Sequence, residues 1–162
     1  MTLTSLTIQT EAWVQEEIAA QRKLLEILGR TEQAARSGAS AALAQSGAEL
    51  EAALALAPAR SARRGALLGK LAPALGLPAS AVTLSKLASR LAADGLANGI
   101  NGERLNTLRQ ELREVVAAVA RTGRRLGALA RYHSALSEEL CALLQARAPG
   151  QPEQGALIDA QG

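Results

Sequence analysis

Few side chains in this sequence could do chemistry, and their spacing limits what that chemistry could be. His133 is the only histidine and Cys141 the only cysteine of the 162-residue chain. A Ser-His-Asp triad, a His-rich metal site or a Cys-His pair with a separate orienting histidine therefore lacks its raw material. A Cys-based zinc site or an internal disulfide framework would need several thiols, so Cys141 reads as an unpaired cytosolic thiol. The carboxylates Glu16-Glu17 and Glu138-Glu139 are adjacent on helical sequence, where neighbouring side chains diverge instead of converging on one substrate, and they read as surface charge. Arg60, Arg63 and Arg64 form the densest basic cluster. Its plain reading is a solvated helix face, with weak phosphate binding as the functional alternative. With Trp13 and Tyr132 as the only aromatic residues, the chain cannot stack many bases, and no nucleic-acid partner is expected. No phosphate-binding loop, dinucleotide fingerprint, H-E-x-x-H or calcium loop occurs. The residues thus point to a protein that is not an enzyme and takes no cofactor or metal.

The elements that must position these residues are helices. Leu and Ala dominate a hydrophobic fraction of 48%, and Phe is absent, so the core must be aliphatic and the bias favours helix over sheet. Formal charge is +3 with a pI near 9.6, spread along the chain and not gathered into a block. The N-terminus lacks a basic start followed by an apolar run, and no stretch approaches the roughly 20 apolar residues that span a bilayer. A cytoplasmic protein without membrane insertion is expected.

From about Glu11, Val14, Ile18, Leu25 and Leu28 step by helical multiples, widened by Leu24 and Ile27, with Glu16, Glu17, Arg22, Lys23 and Glu26 opposite. Arg36-Ser37-Gly38-Ala39-Ser40 predicts a helix stop with Ser40 as the next cap, or else a bend. A second stretch carries Leu43, Leu50 and Leu54 and then meets Pro58, which predicts a break or a kink just before it. Leu67, Leu68, Leu71 and Leu75 resume an apolar face that Gly76-Leu77-Pro78 ends. Ser80 is the expected cap of a short helix bearing Leu84, Leu87 and Leu91 and stopping near Gly95, followed by a turn at Asn98 to Gly102.

The strongest pattern runs in steps of three and four through Leu105, Leu108, Leu112, Val115, Val119, Thr122, Leu126, Leu129, His133, Leu136, Leu140 and Leu143, of which ten of twelve are aliphatic. Such a seam marks a long helix packed lengthwise on its neighbours. Val116, Ala118, Gly123 and Ala130 broaden it as a bundle of three or more helices requires, and Arg113, Arg121, Arg124 and Arg131 fall opposite. His133 on the seam is expected to be at least half-buried and to fix helix register, and Tyr132 beside it reads equally as a binding anchor or as internal packing. Gly123 and Gly127, like Gly65 and Gly69, are four apart and are expected to loosen their helices. The predicted fold is all-α: an elongated antiparallel helical hairpin or bundle of long helices with coiled-coil-like packing over residues 1–148, with a flexible tail over 149–162.

The order of these elements resembles the FlgN family of flagellar export chaperones. Gly102-Glu103-Arg104-Leu105-Asn106-Thr107-Leu108-Arg109-Gln110-Glu111-Leu112-Arg113-Glu114 is similar to the start of that family's last helix. Tyr132 to Leu140 occupies the place of its polar stretch, and Leu157-Ile158-Asp159-Ala160-Gln161-Gly162 is similar to its terminal Asp-x-x-Gly element. The resemblance implies a cytoplasmic chaperone that binds the terminal helices of hook-associated proteins, keeps them unpolymerised and presents them to the type III export gate. On that reading substrate contact falls on Leu129, Tyr132, Leu136, Leu140, Leu143 and Leu144, assisted by Leu157 and Ile158 in the tail. The competing expectation is a structural coiled-coil subunit that self-associates through the same seam.

Overall fold

The computed structural model describes residues 2–93 and 102–147. It is all-α, with no strand among the described residues: α1 (Leu3–Ser37), α2 (Ser40–Ala55), α3 (Ala57–Leu75), a 3-10 turn (Ala79–Ala81), α4 (Leu84–Ala93) and α5 (Gly102–Arg147). Among the described residues no helix is long and apolar enough to cross a membrane. The chain forms two compact units, Met1–Leu126 and Gly127–Gly162, so the boundary falls inside α5. The expected turn at Asn98 to Asn101, the stop near Gly95 and the tail 149–162 lie outside the described residues.

Local chemistry explains most boundaries, and some differ from expectation. α1 begins well before Glu11, because the Thr2 hydroxyl accepts from the Ser5 amide and caps it. Its first turns bury Leu6, Thr7 and Thr10. The two threonines are tolerated inside because each hydroxyl donates to the carbonyl four residues back, Thr7 to Leu3 at 2.9 Å and Thr10 to Leu6 at 2.7 Å. α1 ends on Gly38 and α3 on Gly76, both with left-handed backbone (φ 67° and 64°) that favours glycine. At the second, the Leu77 amide returns to the Ala72 carbonyl and its side chain packs on the core. Ser40 does not cap α2: it is the first helical residue, behind Ala39. Ahead of Pro58 the helix breaks at Leu56, and the proline then occupies the first turn of α3, where its missing N–H costs nothing. The cap of α4 is Thr83, whose hydroxyl accepts from the Lys86 amide at 3.1 Å, and Ser80 lies instead in the 3-10 turn.

Within the first unit, α1 is the central element. Leu6 joins Leu67, Leu71 and Ala72 of α3, Val82, Leu87, Ala88 and Leu91 around α4, and Leu105 of α5 in one aliphatic cluster. Val14 and Ile18 meet Leu108, with Leu84 and Leu112 beside them, and Trp13 touches both clusters. Ion pairs flank this core. Arg30–Glu49, Glu17–Arg60 and Glu16–Arg63 step down α1 as they step up α2 and α3. Glu11–Arg104, Arg22–Glu111 and Glu32–Arg125 instead rise together, from 11 to 32 on α1 and from 104 to 125 on α5. α5 therefore runs beside α1 in the same direction, as first and third helices do in a bundle of three.

The surface-charge readings hold for Glu16, Arg63 and Arg64, which are exposed, and are narrowed by ion pairing and by the half-burial of Glu17 and Arg60. Glu16 and Glu17 do diverge, but each reaches an arginine of α3 and ties that helix to α1. Arg60 and Arg63 are correspondingly held in ion pairs and do not form a free basic face. The α2 face carrying Leu43 and Leu54 is also not core: both are exposed, and Ser46 is the buried residue of that helix.

Two contacts generate tests. A Cβ on Gly102 would stand 2.8 Å from the Ala88 carbonyl oxygen, whereas one on Gly123 meets nothing within 4 Å. Gly102→Ala should lower the unfolding free energy by about 1–3 kcal/mol, and Gly123→Ala should raise it by roughly 0.5–1 kcal/mol. Urea titrations should thus show midpoint shifts of opposite sign. Glu32, buried with its carboxylate between Arg36 (2.6 Å) and Arg125 (3.1 Å), should cost about 1–2 kcal/mol when changed to Gln. Added salt should narrow that difference, because both arginines are largely exposed.

Candidate functional site

The seam of α5 changes character along its length. Leu105, Leu108 and Thr122 are buried, and Leu112, Val115, Val119 and Leu126 are half-buried. All of these lie in the first unit, where Thr122 is joined through its hydroxyl to Arg125. Beyond Leu126 the same three-four spacing continues, but after Leu129 the side chains are uncovered. Leu129 is half-buried, and Tyr132 (65%), Leu136 (39%), Leu140 (51%) and Leu143 (65%) are exposed.

Why the helix persists there is a matter of local sequence. Ala, Leu, Glu and Arg dominate from Ala128 to Arg147, and these residues lose little side-chain freedom in a helix. Ser137, a weaker helix former, donates its hydroxyl to the His133 carbonyl at 2.8 Å. At 100° per residue, Leu129, Tyr132, Leu136, Leu140 and Leu143 fall within an arc of roughly 80°, one continuous apolar row. Glu138, Glu139 and Arg131 lie off this row and are exposed.

His133 departs from expectation. It is exposed, and its ring meets Tyr132 edge-on, with centroids 5.9 Å apart and planes at 73°. It is not a buried seam residue and has no helix across from it to align among the described residues. Tyr132, for which two roles were open, makes no core contact and stands at the head of the exposed row. Leu144's side chain, Leu157 and Ile158 lie outside the described residues. Cys141 is exposed with a free thiol, and no group of three His, Cys, Asp or Glu gathers among the described residues.

The surface offers area and shape, not reactive groups. Monomeric proteins seldom leave a row of large apolar side chains in water unless something packs there. Completing the burial of these four side chains would contribute on the order of 1–2 kcal/mol each, before the cost of association. The sequence places Arg64 in one cluster with Arg60 and Arg63, but of the three it alone has no ionic partner among the described residues. Nothing in its spacing distinguishes it from Arg60 and Arg63.

The chain matches no protein-family model, no curated protein and no solved structure.

The exposed row yields a folding test. Changing Leu136, Leu140 and Leu143 together to Asp should leave helical circular dichroism intact and cost less than about 2 kcal/mol in total, mostly through helix propensity. Leu105→Asp, at a fully buried position, should abolish cooperative unfolding, because it places a carboxylate in an aliphatic cluster.

Proposed function

We propose that the protein is a non-enzymatic helix-binding chaperone of the flagellar export type, and that the exposed row on α5 is where it holds its client. The observation that carries this reading is the transition within one unbroken helix from a covered seam to an uncovered one. An amphipathic helix from a client would lay its own apolar positions, spaced by three and four, along Leu129, Tyr132, Leu136, Leu140 and Leu143. Tyr132 supplies a large, rigid side chain of the kind that anchors such interfaces. With that helix covered, the terminal segments of a hook-associated protein could not pair with their own neighbours. That is how a carrier would keep them from polymerising in the cytoplasm until delivery to the export gate. The similarity of Gly102 to Glu114 and of Tyr132 to Leu140 to the FlgN pattern supports a hook-associated client, and the exposed row supports this face as the one that would hold it.

Co-purification with the hook-associated proteins of the same cell tests the proposal. The intact chain should capture at least one of them in a stoichiometric complex, and the Leu136, Leu140 and Leu143 to Asp variant should lose it while remaining helical. Capture of none, together with a discrete homo-oligomer that the same variant dissolves, would replace the chaperone with a self-assembling coiled-coil subunit.

A further inference from the structure

A second feature lies in the first unit and is independent of the export reading. Three helices and the connection that precedes α4 leave a partly open cavity of about 220 Å³ between them. Leu67, Leu68 and Leu71 of α3, Val82 before α4, and Leu84 and Leu87 of α4 form its aliphatic wall, and Trp13 and Thr10 of α1 close another side. Aliphatic cavities of about 150 Å³ stay dry and admit a molecule the size of benzene, so this one has room for a larger apolar guest.

Its polar atoms narrow the choice of guest. The Thr10 hydroxyl already donates to the Leu6 carbonyl, and the Thr83 hydroxyl already accepts the Lys86 amide. Thr83 keeps its hydroxyl proton and both oxygens keep acceptor capacity, but two hydroxyls in an otherwise aliphatic wall cannot satisfy the amides and carbonyls of a peptide backbone. The only charged residue lining the cavity is Arg64, which is exposed and has no ionic partner among the described residues, whereas Arg60 and Arg63 on the same helix are both paired. An aliphatic chamber with one unpaired guanidinium at its edge is complementary to a molecule with an apolar body and an anionic head. We infer that this cavity binds a medium-chain carboxylate, its acyl chain among Leu67, Leu71, Val82 and Leu87 and its carboxylate on Arg64.

The chain carries its own reporter, since Trp13 lines the cavity and is the only tryptophan. Titrating the full chain with octanoate should give a saturable change in tryptophan emission. Hexanoate, two methylenes shorter, should bind about tenfold more weakly. Arg64→Gln alters an exposed side chain and should leave the fold intact. It should weaken octanoate at least about fivefold while leaving the affinity for 1-octanol unchanged. Leu68→Phe, which puts a larger side chain into the wall, should remove binding of both. No saturable change with millimolar octanoate, or equal octanoate affinity in wild type and Arg64→Gln, would overturn the assignment. Binding at the exposed row of α5 would not mimic it, because the aromatic residue there is Tyr132, not tryptophan.

Discussion

Burial of one side of α1 is the interaction on which the first unit depends. With almost no aromatic residues to fill space, the core must be assembled from leucine, isoleucine, valine and alanine, each contributing modest area, so several helices have to converge on the same stretch of chain. Leu6, Val14 and Ile18 provide that stretch, and α3, α4 and the start of α5 close on it. The charged pairs at its flanks keep most of their arginines exposed while Glu11, Glu17 and Glu32 are largely covered, so the pairs these three make are only partly screened by solvent. Their part is to fix which face of each neighbour turns inward.

The sequence made the long elements legible because leucine periodicity is a direct trace of burial. Val14, Ile18, Ile27 and Leu28 in α1, Leu67 and Leu71 in α3, Leu87 and Leu91 in α4 and Leu105 and Leu108 in α5 were all identifiable as inward-facing and are all buried. The first turns of α1 were obscured by Thr7 and Thr10, which look polar as letters but spend their hydroxyls on their own helix. Ser80 was the expected cap, and Thr83 takes that place because a 3-10 turn after Pro78, which no periodicity announces, delays the start of α4.

The candidate sites were less legible, for a different reason. A seam describes which side chains are on one face, not whether anything covers that face, so Leu112 and Leu140 look alike in sequence while one is half-buried and the other exposed. Likewise, Arg60, Arg63 and Arg64 form one cluster by spacing, but the partners that neutralise two of them lie more than 40 residues away at Glu16 and Glu17. Long-range pairing of this kind has no local signature.

The charges along α1 and α5 also govern what a leucine repeat leaves undecided. An apolar seam of period seven would tolerate sliding one helix past the other by a heptad, since leucine would again meet leucine. Sliding α5 one way brings Glu11 opposite Glu111, and sliding it the other way brings Arg22 opposite Arg104. In the observed alignment these four residues form two attractive pairs, Glu11–Arg104 and Arg22–Glu111. Each slipped alignment sets like charges against each other and forfeits the pairs, so weak surface interactions act as a vernier that admits one alignment of α1 and α5 and rejects its nearest competitors.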